Sequence, residues 1–179
     1  MKKTWRIIRL GVRAVLLIAF GGLLLYNGYI FVMRYFFGQG MPTVFGFSAA
    51  TVVSGSMADE INEGHFIITK EQSAYREGDI ITFFDNESKA YITHRIILVS
   101  GDTYATKGDA NDAPDAFSVP KEAVIGKVVT VWKGFGKAVT FLQSPGGLFC
   151  VACSGVFLWI IWDIITGWVE KEKNERKED

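Results

Sequence analysis

Two hydroxyls one residue apart, Ser54 and Ser56 in the run SGSM at residues 54–57, are side chains whose type and spacing suit covalent chemistry. A serine hydroxyl is a weak nucleophile until a neighbouring base takes its proton, and the tetrahedral intermediate of acyl transfer needs fixed hydrogen-bond donors. A Ser-x-Ser pair offers both parts. Ser56 attacks, and the Ser54 hydroxyl with the Ser56 backbone N–H faces the oxyanion. Ser/Gly clusters are also common turns, so the pair gains weight only from a base. His94, in the run THRI at 93–96, supplies one. An unperturbed imidazole titrates near about 6.5, so it accepts a proton at neutral pH without the desolvation that a lysine requires. The other histidine, His65, opens a strand-like run after Gly64 and reads as a structural or surface residue.

A third patch, KGDANDAPD at 107–115, carries Asp109, Asp112 and Asp115. One of these carboxylates is expected to orient His94 and stabilise its imidazolium; otherwise the patch is a solvated acidic turn. A calcium loop would need Gly at its sixth position and Glu at its twelfth. Counted from Asp109, those positions hold Pro114 and Pro120, so the calcium reading fails. The chemistry read from these residues needs no metal and no cofactor.

The elements that must position these groups lie between two apolar blocks. Of the 179 residues 49% are hydrophobic and the net charge is +0, so there is no basic surplus to bind nucleic acid. The first block, about 14–32, has no charged residue and follows Lys2, Lys3, Arg6, Arg9 and Arg13 with no acid among them. Its length suits a transmembrane helix, and the basic flank puts the N-terminus in the cytoplasm. A cleavable signal peptide competes with that reading. The long apolar run and the lack of a small-x-small site close behind it argue against one. The second block, 147–168, returns the chain to the cytoplasm, where the mixed charges of the tail include Lys171, Lys173, Arg176 and Lys177. Asp163, inside this block, is expected to reach the interface. Cys150 and Cys153 form C-x-x-C within the same span and read as small apolar filler rather than a redox motif.

About a hundred residues remain for the middle, enough for one core. Runs rich in Ile, Val, Thr and aromatics at 44–53, 65–69, 79–84, 90–99, 103–107 and 124–132, separated by Gly, Asp, Asn and Ser, predict a mainly antiparallel β domain. The uncharged stretch FGFSAATVV, which leads to the serines, reads either as a buried strand or as one lying against the bilayer surface.

Taken in order, S-G-S-M, G-D-I-I-T-F at 78–83, T-H-R-I, K-G-D-A-N at 107–111 and V-I-G-K-V at 124–128 resemble the type I signal peptidases. With a histidine at the general-base position, the pattern is similar to the Ser/His group of the endoplasmic reticulum, archaea and some Gram-positive bacteria, including the SipW-like type. The resemblance implies Ser56 as nucleophile, Ser54 as oxyanion-hole serine and His94 as base. It further implies Asp115 as the partner of His94 and Asp109 as a supporting residue, with Asp112 matching neither. Members often carry Pro two residues after the Met of S-x-S-M. This chain has Asp59 there, a departure that bears on the turn rather than on the nucleophile.

The expected architecture is a basic cytoplasmic N-terminus at 1–13, a transmembrane helix at 14–36, an extracytoplasmic β catalytic domain at 37–143, a second transmembrane helix at 147–168 and a charged cytoplasmic tail at 169–179. The expected activity is removal of N-terminal signal peptides from secreted preproteins at the membrane surface, after small residues. Preproteins and the lipid bilayer are the expected partners, with the Sec translocon a further candidate. A Gram-positive or archaeal plasma membrane is preferred to the endoplasmic reticulum. Two rivals stand beside this reading: a LexA-like self-cleaving protease, against which the absence of a Ser/Lys pair argues, and a catalytically inactive membrane adaptor that binds preproteins or a translocon.

Overall fold

The computed structural model describes residues 2–38 and 40–175. Arg176 and Lys177 of the charged tail therefore lie outside the described residues. The chain divides into two compact units, one built from the two long helices and the other from Val32–Thr140.

In the helical unit, α1 runs Lys2–Phe36 and α3 runs Pro145–Glu175. Each contains a 24-residue apolar stretch, Leu10–Met33 and Pro145–Trp168, of mean hydropathy 2.0 and 2.2. At about 1.5 Å per residue such a stretch exceeds the about 30 Å hydrocarbon core. The start of α3 follows from its sequence. Pro145 is suited to a first helical position because it lacks an N–H, and the hydroxyl of Ser144 just before it accepts the Gly147 N–H at 3.1 Å. Asp163 on α3 pairs with Arg13 on α1, so the carboxylate meets a cation instead of standing alone. Cys150 and Cys153 are both free and exposed on α3.

The other unit is a seven-stranded sheet in the order β1-β2-β7-β3-β4-β5-β6, antiparallel in each pairing. The strands are β1 Phe47–Thr51, β2 Phe66–Lys70, β3 Ile80–Asp85, β4 Ala90–Ser100, β5 Thr103–Lys107, β6 Ser118–Pro120 and β7 Val124–Trp132. Six of them fall on the runs rich in β-branched and aromatic residues. A 3-10 turn at Lys121–Ala123 joins β6 to β7, and a short helix α2, Gly136–Gln143, follows the sheet.

Two apolar clusters hold the sheet. Tyr75, Ile81, Phe83, Ile96, Tyr104 and Val119 form one beneath β3–β6. Met57, Ile61 and Ile67 form the other and anchor the loop after β1 to β2 and β7. Burial of one such large side chain contributes about 1.5–3 kcal/mol, so Met57 and Ile61, at 2% and 0% exposure, fix the loop that carries Ser56. The stretch into β1 differs from a buried strand. β1 is a sheet edge, Ser48 is its buried residue, and Phe45, Phe47 and Val53 are exposed. Phe45 and Gly46 form the tip of a tight reversal between Val44 and Phe47, with φ of 52° and 77°. Two successive positive φ values are what a type I′ reversal demands.

Candidate active site

His94 sits in the middle of β4, opposite Ile81 of β3. Strand alternation turns its ring onto the packed face, where it lies edge-on to Phe83 with centroids 6.5 Å apart. The residue is only 6% exposed, so its ring needs a polar partner in the protein. Asp115 provides one: its Oδ2 lies 2.7 Å from His94 Nδ1. The same oxygen accepts the Thr106 hydroxyl at 2.6 Å, and the Asp115 N–H donates to the Thr106 carbonyl at 2.9 Å. Thr106 is fully buried on β5, next to β4 in the sheet, so the carboxylate is held to the strand beside the histidine. With Nδ1–H donating to this carboxylate, the Nε2 lone pair is left to accept a proton.

The serines occupy the loop between β1 and β2. Their hydroxyl oxygens are 3.3 Å apart, Ser54 being exposed and Ser56 half-buried. The turn is tightened by Ala58 N–H donating to the Gly55 carbonyl and Ile61 N–H to the Met57 carbonyl. The link to the histidine side is the acidic turn. Ala110 N–H donates to the Ser56 carbonyl at 3.0 Å, and Asp109 N–H to Met57 Sδ at 3.4 Å. The segment 108–115 thus touches the backbone of the nucleophile candidate near its start and the ring of the base candidate at its end.

Asp109 has a different partner from Asp115. Its two oxygens accept from Arg95 Nε at 2.9 Å and Nη2 at 2.7 Å, a two-pronged pairing that suits the planar guanidinium. Arg95 also donates to the Gly78 carbonyl at 2.9 Å and to Glu60 on the serine loop. Hydrogen bonding to Asp109 raises the Arg95 pKa further above its ordinary value, against the opposing effect of burial. One guanidinium therefore ties together the serine loop, the acidic turn and the turn before β3. Sequence reading missed Arg95, Glu60 and Thr106. Arg95 had a signal in its position next to His94, which strand alternation sends to the opposite face. Asp112 is exposed, and His65 is buried with its Nδ1 accepting the Asn62 N–H at 3.1 Å, closing the far end of the serine loop. Among the described residues, no three His, Cys, Asp or Glu side chains are grouped to hold a metal ion.

A family model described as signal peptidase, peptidase S26, matches residues 25–113. Over those residues the chain is similar to this family. Signal peptidase I W of Bacillus subtilis (strain 168) is 42% identical over 92 residues, which cover 48% of this chain and 48% of that protein. The chain thus spans about half the length of the curated relative it matches. Within the S26 match fall Ser54, Ser56, His94 and Asp109, while Asp115 lies two residues past its end. The sheet and the two apolar helices are consistent with a signal-peptidase-like β domain with flanking helices.

Proposed function

We propose that this chain is a membrane-bound serine endopeptidase that removes N-terminal signal peptides from secreted preproteins, cutting after small residues such as Ala. The observation that carries the reading is the 108–115 turn, which reaches the Ser56 carbonyl through Ala110 and the His94 ring through Asp115. The match to the S26 family model over residues 25–113 and the name of the Bacillus relative support the substrate class.

In this mechanism Ser56 Oγ attacks the scissile carbonyl and His94 Nε2 takes its proton, while the Asp115 carboxylate steadies the imidazolium. The Ser54 hydroxyl and the Ser56 N–H hydrogen-bond the oxyanion. Collapse of the tetrahedral intermediate breaks the peptide bond, and His94 gives the proton to the departing amine. A water then attacks the acyl-enzyme, His94 takes its proton, and the Ser56 hydroxyl is restored. Asp109 supports the site through Arg95. The free edge of β1, which leads to Ser54, suits an extended substrate added as a further strand.

The substrate's apolar segment remains in lipid, so the enzyme works at the membrane surface. The exposed Phe45 and Val53 at either end of β1 support that placement. The Arg13–Asp163 pair joins the beginning of one apolar stretch to the end of the other. That supports both termini lying on one side, the cytoplasmic side by the basic N-terminal flank, with the β domain at 37–143 outside a Gram-positive or archaeal plasma membrane. The Sec translocon is a proposed neighbour.

The test is cleavage of a preprotein in detergent. Ser56→Ala and His94→Ala each lower turnover by about 10³-fold or more, and Lys107→Ala retains it. Equal turnover by wild type and Ser56→Ala rejects the enzyme reading in favour of a binding adaptor.

A further inference from the structure

The two long helices enclose a cavity of about 270 Å³ between Leu16, Leu17 and Phe20 of α1 and Gly155, Val156 and Trp159 of α3. Its walls are almost wholly apolar, and Gly155 lets the helices approach: a Cβ there would stand 3.3 Å from the Phe20 ring. Arg13 and Trp162 also line it. Among the described residues, Arg13 Nε and Trp162 Nε1 are the buried side-chain nitrogen or oxygen atoms with no hydrogen-bond partner. Both are donors. Asp163 engages Arg13 through Nη2 and leaves Nε unmet.

Two unmet donors beside an apolar cavity define a complementary ligand. It must bring acceptors without donors of its own, and it must carry a hydrocarbon chain. A water could accept from both nitrogens, but its own protons would then face apolar walls, whereas ordered water needs two to four polar partners. An apolar peptide helix would fill the space but leave the donors unmet, because its carbonyls are already bonded within the helix. A phosphodiester bearing an acyl chain meets both requirements. The sequence before Arg13 adds Lys2, Lys3, Arg6 and Arg9 with no acid, which favours an anionic headgroup over a zwitterionic one.

We propose that the cleft between α1 and α3 is a binding site for an anionic phospholipid, its phosphate accepting from Arg13 Nε and Trp162 Nε1 and one acyl chain lying along Leu17, Phe20 and Val156. The site does not depend on the peptidase chemistry, and its occupancy is measured without any substrate.

Full-length protein is equilibrated in phosphatidylcholine vesicles containing about a tenth phosphatidylglycerol, extracted in mild detergent, and its retained lipid identified by mass spectrometry. The wild type is expected to retain about one phospholipid per protein, with phosphatidylglycerol about fivefold above its share of the vesicle, the effect of the about 1 kcal/mol that one basic residue gives an anionic headgroup. Trp162→Phe, which keeps an aromatic ring and removes the donor, and Leu17→Trp, which fills the cleft, both retain less than about half as much of either phospholipid while keeping the helical circular dichroism. Retention of the two lipids in their vesicle ratio overturns the proposal. So does retention at the wild-type level in both Trp162→Phe and Leu17→Trp, since the lipid would then be held outside the cleft.

Discussion

Gly108 lies so close to Ser56 that a Cβ on it would stand 2.5 Å from the Ser56 carbonyl oxygen and 2.8 Å from the Asn111 side-chain amide. This contact presses the acidic turn onto the loop of the nucleophile candidate, and the Ala110 N–H then closes the hydrogen bond to the same carbonyl. The turn that ends at Asp115 is thereby set in place by a backbone approach that a side chain would prevent.

Gly108→Ala is accordingly expected to separate the turn from the serine loop. The obstructing atom is backbone and cannot swing away, so overpacking should cost about 1–3 kcal/mol, and peptidase activity should fall at least tenfold with it. Gly55→Ala, where an added Cβ meets nothing within 4 Å, should change stability by no more than about 0.5 kcal/mol. Thermal unfolding of both variants in detergent decides the matter; equal stability would show that the contact yields freely.

The two aspartates of the turn should respond differently. Asp115→Asn removes the charge facing His94 and allows the wrong tautomer, so kcat should drop by about 10³-fold or more. Asp109→Asn breaks the paired bonds to Arg95, which is partly exposed, and should cost about 1 kcal/mol of stability. Its kcat should fall far less than that of Asp115→Asn. A larger kcat loss in Asp109→Asn would reverse the roles proposed for them.

Much of this arrangement was legible in the sequence because strands announce themselves by composition. The runs containing β2 to β5 and β7 needed only Ile, Val, Thr and aromatics between turn residues. β6 escaped because it is three residues long, ends in Pro120 and owes its place to buried Val119 packing on β5. α2 escaped because eight residues at a sheet end give too short a period to read. The spacing of Asp109, Asp112 and Asp115 could not rank the three, since the choice depends on which carboxylate turns back to Thr106 and His94 and which to Arg95, contacts that exist only once the turn folds against the sheet. Asp163 was expected at the interface; its pairing with Arg13 involves a residue 150 positions away, which no local pattern encodes.

Asp59 occupies a left-handed conformation, φ 79°, at the position where the family resemblance leads to the expectation of Pro. The proline ring locks φ near −65°, so the turn after Met57 cannot be the one a proline would form. Asp59→Pro is expected to destabilise the chain by about 3 kcal/mol or more. Asp59→Gly should relieve the Cβ strain and be neutral or stabilising by about 0.5 kcal/mol. Unfolding midpoints measure both, and a stable Asp59→Pro protein would mean that the loop has a second conformation open to it.

Acid should weaken one particular joint of the sheet. Asp79 precedes β3 and accepts from Lys127 of β7 at 2.6 Å and from the Arg76 N–H at 3.0 Å. Burial pushes its carboxyl up, but the Lys127 and Arg76 hydrogen bonds and charges outweigh that and hold it below the usual carboxylate range. A carboxyl depressed on folding contributes stability that is complete above its unfolded pKa, near about 3.9, and that disappears as the pH falls through the lower folded value. Lys127 is one-third exposed, so solvent screens the pair and its contribution at neutral pH is about 1 kcal/mol. Asp79→Asn should therefore be less stable than wild type by about that amount from pH 7 down to about 5, and the gap should narrow progressively below pH 4. Thermal unfolding of the two proteins across that range reads the gap directly, and a difference that stayed constant down to pH 2.5 would assign it to packing rather than to the ionised carboxylate.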